Sequence, residues 1–277
     1  MKTKNASSLP RVFYILWAVI IASYAVWMAF FLKFDTYPAA DTGITSRGTY
    51  IIWAIFSCAY LLIFPFLTKA VLYSEKPGAW QKPFCLVSLI FGCAFITWYG
   101  FFKNPLDYTA SMIGLDYPIH FKMWGLFASV SIFANVLYMY RRYGYKSKAG
   151  VICGSVGSAA IFVTINVPSA GEELILTSLR CMSHWTGALV FAVMCAAPIV
   201  MLLISKAKKR SAKWIVLTLA FTAVLALMLV LLVTVGKNGL IESLPMWAAY
   251  ALLFVLNFTP AFFTEDAALP EKAKATV

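Results

Sequence analysis

The feature that most constrains the fold is a long apolar run that carries no charge. No Asp, Glu, Lys or Arg lies between His184 and Lys206. At about 1.5 Å of rise per residue, a helix from Trp185 to Ile204 crosses the roughly 30 Å hydrocarbon core of a bilayer. Five basic residues follow the run between Lys206 and Lys213. The run is therefore predicted to span a membrane, from a polar start at His184 to a positively charged exit.

Similar runs recur along the chain and predict eight spans. With 62% hydrophobic and 12% charged residues, the chain departs from soluble domains, in which about a quarter of residues are charged. The predicted spans cover residues 12–32, 49–68, 83–102, 120–140, 150–167, 185–205, 214–235 and 245–263. The fold class expected is all-α, a single polytopic helix bundle integral to the membrane.

The distribution of charge orients these spans. With both termini cytoplasmic, the inner segments hold 17 Lys and Arg residues and 4 acids, and the outer segments hold 6 and 7. This bias predicts a multi-pass protein of the cytoplasmic membrane. Because the net charge of +12 is concentrated in the inner segments, we expect anionic lipid at the cytoplasmic rim and no nucleic-acid partner.

We expect no ionisable residue deep within a span, and this argues against the usual ion-coupled transporter. The chain also lacks Walker-type phosphate loops, a His-Glu-x-x-His motif and a Gly-x-Ser-x-Gly motif, so no catalytic residue is predicted.

The two histidines of the chain, His120 and His184, are both predicted at the outer ends of spans. Such a pair could ligate a haem iron or share a metal such as zinc with outer carboxylates. The candidate metal ligands are His120, His184, Asp116, Glu172 and Glu173. A ligand pocket beside them would be bordered by Trp124 and Trp185, and the outer acids would favour a cation. In the structural alternative, each imidazole caps a helix or bonds to a loop carbonyl.

Three asparagines lie within predicted spans: Asn135, Asn166 and Asn257. Asparagine in a span commonly hydrogen-bonds to a neighbouring helix. The functional alternative is a polar pocket for a neutral solute or a lipid headgroup, lined by these three side chains.

Four stretches from the third to the last predicted span carry a family resemblance. They are Trp98-Tyr-Gly-Phe-Phe-Lys-Asn-Pro105, the histidine-led starts at His120 and at Ser183-His184-Trp-Thr-Gly-Ala-Leu-Val-Phe191, and Gly239-Leu-Ile-Glu242. In these stretches the chain resembles the DRAM/Sfk-type family of small polytopic proteins and its bacterial relatives. The resemblance implies a membrane protein without an established catalytic site, tied to membrane homeostasis or signalling.

Three function classes follow from the sequence. The first is a non-enzymatic membrane protein that binds a lipid or small ligand, or supports a protein partner or a second copy of itself. The second is a transporter of a neutral or weakly polar solute. The third is a haem- or metal-dependent membrane enzyme that uses His120 and His184.

Overall fold

The computed structural model describes residues 11–34, 47–72, 79–167, 179–208 and 211–262, and regular structure within these ranges is entirely helical. The helices are α1 (Arg11–Phe34), α2 (Arg47–Leu61), α3 (Ile63–Leu72), α4 (Gln81–Gly100), α5 (Ala110–Asp116), α6 (Pro118–Arg142), α7 (Lys148–Asn166), α8 (Leu179–Ala207), α9 (Ala212–Thr234) and α10 (Gly239–Phe258).

Seven helical segments in the described part of the chain are long and apolar enough to cross a membrane. They are Ile55–Leu72, Gln81–Gly100, Pro118–Arg142, Lys148–Asn166, Cys181–Ala207, Ala212–Thr234 and Gly239–Phe258. The first predicted span corresponds to α1, whose described side chains include the shorter apolar stretch Tyr14–Val26. The helical class is confirmed, whereas the count of eight spans and the sides of the termini stay predictions.

Helix α6 lies at the centre of the bundle and contacts α3, α4, α5, α7, α8 and α10. Its middle turns, from Ser131 to Leu137, are buried on every side. We call the end of the bundle where α6 begins and α7 ends the Lys122 end, and the opposite end the Arg142 end. This central position brings residues along α6 into contact with most other helices.

Helices α7 and α8 pack closely because glycines line their contact. A Cβ atom on Gly157 would lie 2.8 Å from Cys195 Sγ, and one on Gly187 would lie 2.9 Å from the Ala160 carbonyl oxygen. Small residues allow helix backbones to approach in this way. The glycine-rich stretch of the fifth predicted span, 150–167, therefore belongs to a regular, well-packed helix.

Basic side chains close several helix ends. Arg141 Nη1 donates to the Val71 carbonyl oxygen at the end of α3, and Arg142 donates to the carbonyls of Asn257 and Thr259 at the end of α10. The last carbonyls of a helix have no partner within the helix, and the negative end of its dipole favours a cation. Arg141 and Arg142, which count among the basic residues of the predicted inner segments, therefore also join neighbouring helices.

The second predicted span, 49–68, is not one continuous helix. It ends as α2 at Leu61, turns at Leu62 and resumes as α3. Pro65 has no backbone N–H, so the carbonyl oxygen of Leu61, four residues earlier, lacks its helical donor. Trp17 Nε1 of α1 donates to that oxygen over 2.7 Å. The break is therefore stabilised by a side chain from a different helix.

Helix α9 lies at the edge of the bundle, where Trp214 and Phe221 are its buried side chains. Its Thr218 and Thr222 hydroxyls donate to the carbonyls of Trp214 and Thr218, one turn earlier in the same helix. Because these polar groups are satisfied within the helix, the exposed face of α9 is suited to hydrocarbon surroundings.

Candidate functional site

A lysine is buried at the start of the central helix. Lys122 lies on the second turn of α6, and only 3% of its surface is exposed. Its Nζ donates to the Ile165 carbonyl oxygen and to Asn166 Oδ1, each over 3.1 Å. Both acceptors belong to the last turn of α7, where the helix dipole stabilises a cation. Lys122 lies near the end of its span, so the expectation that no ionisable residue lies deep within a span is not contradicted; the ammonium is nevertheless buried, because it turns inward to the end of α7.

Asn166 extends the contact of Lys122 to two more helices. Its Nδ2 lies 2.8 Å from the Tyr24 hydroxyl oxygen of α1, 3.0 Å from Ser57 Oγ of α2 and 2.8 Å from the Phe162 carbonyl oxygen. An amide nitrogen has two hydrogens, so these three acceptors share two donors. Asn166 therefore connects the Lys122 ammonium on one side with α1 and α2 on the other.

His184 of α8 reaches the same end of α7. It is 2% exposed, and its Nδ1 lies 3.0 Å from the Thr164 carbonyl oxygen and 2.6 Å from that of Val167. Carbonyl oxygens only accept, so Nδ1 carries the proton and donates. Thr164 Oγ1 donates back to the His184 carbonyl oxygen over 3.2 Å. These bonds fix the orientation of the imidazole and match the structural alternative, in which a histidine caps a helix.

We refer to these residues as the Lys122 cluster. Its members are Tyr24, Ser57, Lys122, Asn166 and His184, which come from α1, α2, α6, α7 and α8 respectively. The cluster joins side chains far apart in sequence at the carboxyl end of α7, and it offers cationic, amide, hydroxyl and imidazole groups in a buried setting.

His120 has a different environment. Its ring is half-buried and contacts the rings of Trp98, Phe102 and Tyr117, with centroid distances of 6.0, 5.3 and 6.1 Å. The structure therefore directs His120 towards α4 and the preceding loop, and directs His184 towards α7. The next residue, Phe121, stacks on His184 with a centroid distance of 6.4 Å.

The candidate metal ligands are also placed apart where they are described. Asp116 forms an ion pair with Lys103, and Glu172 and Glu173 lie outside the described residues. Within the described ranges, no three His, Cys, Asp or Glu side chains are grouped so that they could hold a metal ion. The haem and zinc hypotheses stay predictions, and they gain no geometric support from the described part of the chain.

The two candidate tryptophans take structural positions near the cluster. Trp124 is buried and stacks on Phe121 with a centroid distance of 5.6 Å. Trp185 lies beneath Lys237, whose Nζ is 3.9 Å from the ring centroid and 3.2 Å from Glu242 Oε1. Trp124 therefore packs against the Lys122 cluster through Phe121, and Trp185 joins α8 to the start of α10.

The asparagines separate into two sites. Asn257 Nδ2 donates to the Asn135 carbonyl oxygen over 2.9 Å and lies 3.1 Å from Asn135 Oδ1. Asn135 Nδ2 in turn donates to the Cys85 carbonyl oxygen over 3.0 Å. Along α6, Asn135 lies about 20 Å from Lys122 at 1.5 Å of rise per residue. Asn135 and Asn257 thus form one inter-helix contact, whereas Asn166 belongs to the Lys122 cluster.

Sequence reasoning found Asn166 and His184 but missed Lys122, Tyr24 and Ser57. A usable signal for Lys122 is its position among Phe121, Trp124 and Gly125, residues that pack inward from α6. Lysine near a helix end usually extends towards water, and for this reason the burial of Lys122 was not predicted. Tyr24 and Ser57 gave no signal, since a single hydroxyl in a span is common and its partner lies more than 100 residues away.

Comparisons with protein-family models, with curated proteins and with solved structures find no match for this chain. The resemblance to the DRAM/Sfk-type family stays a prediction from the quoted stretches.

Proposed function

We propose that this protein is a non-enzymatic, multi-pass protein of the cytoplasmic membrane that binds a small ligand or lipid through an acidic group at the Lys122 cluster. The observation that supports this most directly is the burial of the Lys122 ammonium within a helix of membrane-spanning length. Ionisable side chains inside spans are costly and generally mark a binding site or a pathway.

Closing the end of α7 does not by itself account for a buried charge. Gln81, which is 1% exposed, donates from Nε2 to the Ala70 carbonyl oxygen at the end of α3 over 2.6 Å. A neutral amide thus closes a buried helix end elsewhere in this protein. Removing an ammonium from water costs far more than removing an amide, and we therefore propose that Lys122 is retained for binding as well as for capping.

An acidic ligand fits the charges at the Lys122 end. The expected preference for a cation rested on the outer carboxylates Asp107, Asp116, Glu172 and Glu173; of these, Asp116 is paired with Lys103, and Glu172 and Glu173 lie outside the described residues. Lys122 places a positive charge in surroundings of low polarity, where Coulomb attraction to a carboxylate or phosphate is stronger than in water. We therefore expect a ligand that carries one of these groups.

Binding of oleate tests the proposal. Purified protein in phosphatidylcholine nanodiscs should bind radiolabelled oleate above the level of empty nanodiscs, and oleyl alcohol, its uncharged match, should not compete. Lys122→Met should weaken oleate binding about 10-fold or more, because truncating a buried charged partner typically costs over 1.4 kcal/mol. Lys148→Met is the control, since Lys148 is exposed at the opposite end of α7.

Two further variants distinguish a loss of oleate binding from a failure to fold. Lys122→Gln keeps a donor towards the Ile165 carbonyl oxygen but removes the charge, so it should fold and still bind weakly. Lys122→Arg keeps the charge and should bind better than Lys122→Gln. Equal oleate binding by wild type, Lys122→Gln and Lys122→Met would refute the proposal.

A second candidate function is transport, and the break between α2 and α3 favours it. Interrupted helices beside a buried polar site are typical of secondary transporters. Under this alternative, liposomes containing the protein should take up labelled oleate faster than liposomes with Lys122→Met. Oleate binding without protein-dependent uptake of oleate would support the binding function and contradict the transport function.

The proposed orientation places the Lys122 cluster in the outer half of the membrane. It follows from the positive-inside bias of the sequence. A membrane-impermeant maleimide added to intact cells should label Leu106→Cys, which replaces an exposed residue near the Lys122 end, and should not label Lys208→Cys. The opposite labelling pattern would invert the orientation.

A further inference from the structure

Aromatic rings are grouped where α4 ends and α6 begins, at the Lys122 end of the bundle. Trp98 lies in the last turn of α4, and Tyr117 directly precedes α6. Both rings contact the half-buried ring of Phe102, with centroid distances of 4.5 Å from Trp98 and 5.1 Å from Tyr117. Both also contact His120. These contacts fix the positions of Trp98 and Tyr117, although 53% and 39% of their surfaces are exposed.

An ion pair adjoins these rings. Lys103 follows Phe102 in the chain, Asp116 precedes Tyr117, and Lys103 Nζ donates to Asp116 Oδ2. Lys103 Nζ also lies 4.5 Å from the Tyr108 ring centroid. A lysine ammonium has three N–H donors, and a carboxylate accepts at both oxygens. Within the described ranges, no hydrogen bond reaches Asp116 Oδ1, and 52% of the Asp116 side chain is exposed. The pair therefore retains a donor and an acceptor for a ligand that carries both charges.

The position of the ion pair along the helices matches that of lipid head groups. Trp98 and Tyr117 stand at the ends of two segments that are long and apolar enough to cross a membrane, and Lys103 and Asp116 lie just beyond those segments. Tryptophan and tyrosine are enriched at the boundary between the hydrocarbon core and the head groups. A phospholipid at this place would present its head group to the ion pair and its acyl chains to the helices.

Three phenylalanines continue the aromatic surface along the contact between α4 and α6. Phe127 of α6 lies edge-on to Phe91 and to Phe95 of α4, each with a centroid distance of 4.8 Å. Phe95 in turn contacts Trp98 at 5.4 Å. Phe91 is exposed, and Phe95 and Phe127 are half-buried. We refer to Phe91, Phe95 and Phe127 as the aromatic strip. It leads from the middle of α4 to the ring group and offers an acyl chain a continuous apolar surface.

We propose that this face of α4 and α6 binds phosphatidylethanolamine. The lipid phosphate accepts from Lys103, the ammonium donates to Asp116 Oδ1 beside the Trp98 and Tyr117 rings, and an acyl chain lies along the aromatic strip. The charges are complementary, because a short ethanolamine bridge joins the phosphate and the ammonium just as an ion pair joins Lys103 and Asp116. This site is separate from the Lys122 cluster and does not depend on the function proposed for that cluster.

The open acceptor on Asp116 distinguishes phosphatidylethanolamine from other phospholipids. Its primary ammonium has N–H donors, and a charge-assisted hydrogen bond to a carboxylate is strong. The trimethylammonium of phosphatidylcholine has no N–H, so it keeps only the contact with the aromatic rings. Phosphatidylglycerol has a phosphate but no cation, so the Asp116 charge opposes its attraction to Lys103. We therefore expect phosphatidylethanolamine to be preferred over both.

Photo-crosslinking measures this preference at the site itself. The protein is placed in phosphatidylcholine nanodiscs with a small fraction of a probe lipid whose acyl chain carries a diazirine, and crosslinked peptides are identified by mass spectrometry. Labelling of α4 and α6 is divided by labelling of α9, whose exposed apolar face reports general contact with lipid. This ratio should be several-fold higher for a phosphatidylethanolamine probe than for a phosphatidylcholine probe with the same chain. Equal ratios for the two probes overturn the proposal.

Removing the Asp116 charge should change which lipid is preferred. Asp116→Asn should lower the ratio for phosphatidylethanolamine to that for phosphatidylcholine, and it should raise the ratio for a phosphatidylglycerol probe, because nothing then opposes Lys103. Asp107→Asn is the matched control, since Asp107 is an exposed acid of the same connection that accepts from Asn104, and it should keep the wild-type ratios. Both positions are exposed, so we expect both variants to fold. A phosphatidylethanolamine ratio that Asp116→Asn leaves unchanged refutes the proposal.

A soluble head group separates the lipid from its charges alone. Glycerophosphoethanolamine carries the same phosphate and ammonium but no acyl chain, so it cannot contact the aromatic strip, and the burial of apolar surface is lost. A modest excess of it over the phosphatidylethanolamine probe should leave the labelling ratio of α4 and α6 unchanged. Loss of the preferential labelling at that excess would show that the ion pair binds the free head group, and it would overturn the assignment of this face to a lipid.

Discussion

Arg141 donates from Nη1 to the carbonyl oxygen of Val71 over 2.8 Å, and this bond joins the last turn of α6 to the last residues of α3. Both partners lie at the Arg142 end of the bundle. Arg141 also belongs to the basic residues that predict a cytoplasmic surface there. A residue that contributes to the predicted orientation thus also caps a helix, because the end of a helix offers unpaired carbonyls and a negative dipole.

Removing this cap should destabilise the bundle. We expect Arg141→Gln to lower the free energy of unfolding by about 1–2 kcal/mol, the range for a partly exposed hydrogen bond to a charged group. Lys146→Gln is the control, since Lys146 is exposed nearby. Denaturant unfolding in detergent measures both. Equal stability of the two variants would mean that Arg141 acts only in topology.

The close approach of α7 and α8 gives a second prediction. A Cβ on Gly187 would lie 2.7 Å from Thr164 Oγ1 and 2.9 Å from the Ala160 carbonyl oxygen. Backbone atoms of α7 cannot move away without disturbing the helix. Gly187→Ala should therefore cost about 1–3 kcal/mol of stability through overpacking. Gly100→Ala meets no atom within 4 Å and is the matched control. A stable Gly187→Ala variant would show that the two helices can separate without loss.

The sequence was sufficient to predict the helical class and the approximate positions of seven described apolar segments. Those properties depend on local hydrophobicity, which a single stretch of chain determines. It failed at the middle of the second span, although Pro65 was visible there. The effect of Pro65 depends on Trp17, which donates to Leu61 from α1, and no local pattern reports that contact.

The candidate site was predicted only in part for the same reason. Asn166 and His184 were found because polar groups in apolar runs are conspicuous. Lys122 was counted only as one of the six basic residues of the outer segments. Its burial depends on acceptors at Ile165 and Asn166, more than 40 residues away. For Asn135 and Asn257 the sequence left two alternatives, an inter-helix hydrogen bond and a pocket shared with Asn166, and helix packing pairs the two asparagines with each other.

The ion pair of Lys103 with Asp116 lies outside the spans and gives a pH-dependent prediction. The hydrogen bond to the Asp116 carboxylate raises the pKa of Lys103 above its ordinary value. The pair therefore holds the loop at pH values below the ordinary lysine pKa, and this contribution is lost as the pH rises through the raised pKa. At pH 9, less of the Lys103 amine is neutral than it would be without its partner.

Acylation measures this difference, since the neutral amine is the nucleophile. In wild type, Lys103 should react with acetic anhydride at pH 9 more slowly than in Asp116→Asn, as quantified by peptide mass spectrometry. Lys148 should react equally in both proteins, because the substitution lies at the opposite end of the bundle. Equal rates at Lys103 in the two proteins would contradict the ion pair.

The basic cluster at the end of α8 should divide into a structural and a lipid-binding part. Lys206 is 7% exposed, with Nζ 5.2 Å from the ring centroid of Tyr143 and 6.0 Å from that of Trp214, whereas Lys208 is exposed. Lys206→Gln should lower the free energy of unfolding by about 1 kcal/mol through lost cation–π contacts.

Lys208→Gln should preserve stability but weaken retention of phosphatidylglycerol, since a basic residue near the surface contributes about 1 kcal/mol to lipid binding. Native mass spectrometry measures the retained lipid, with phosphatidylcholine as the uncharged comparison. Equal phosphatidylglycerol retention by Lys208→Gln and wild type would limit this lysine to a topology signal.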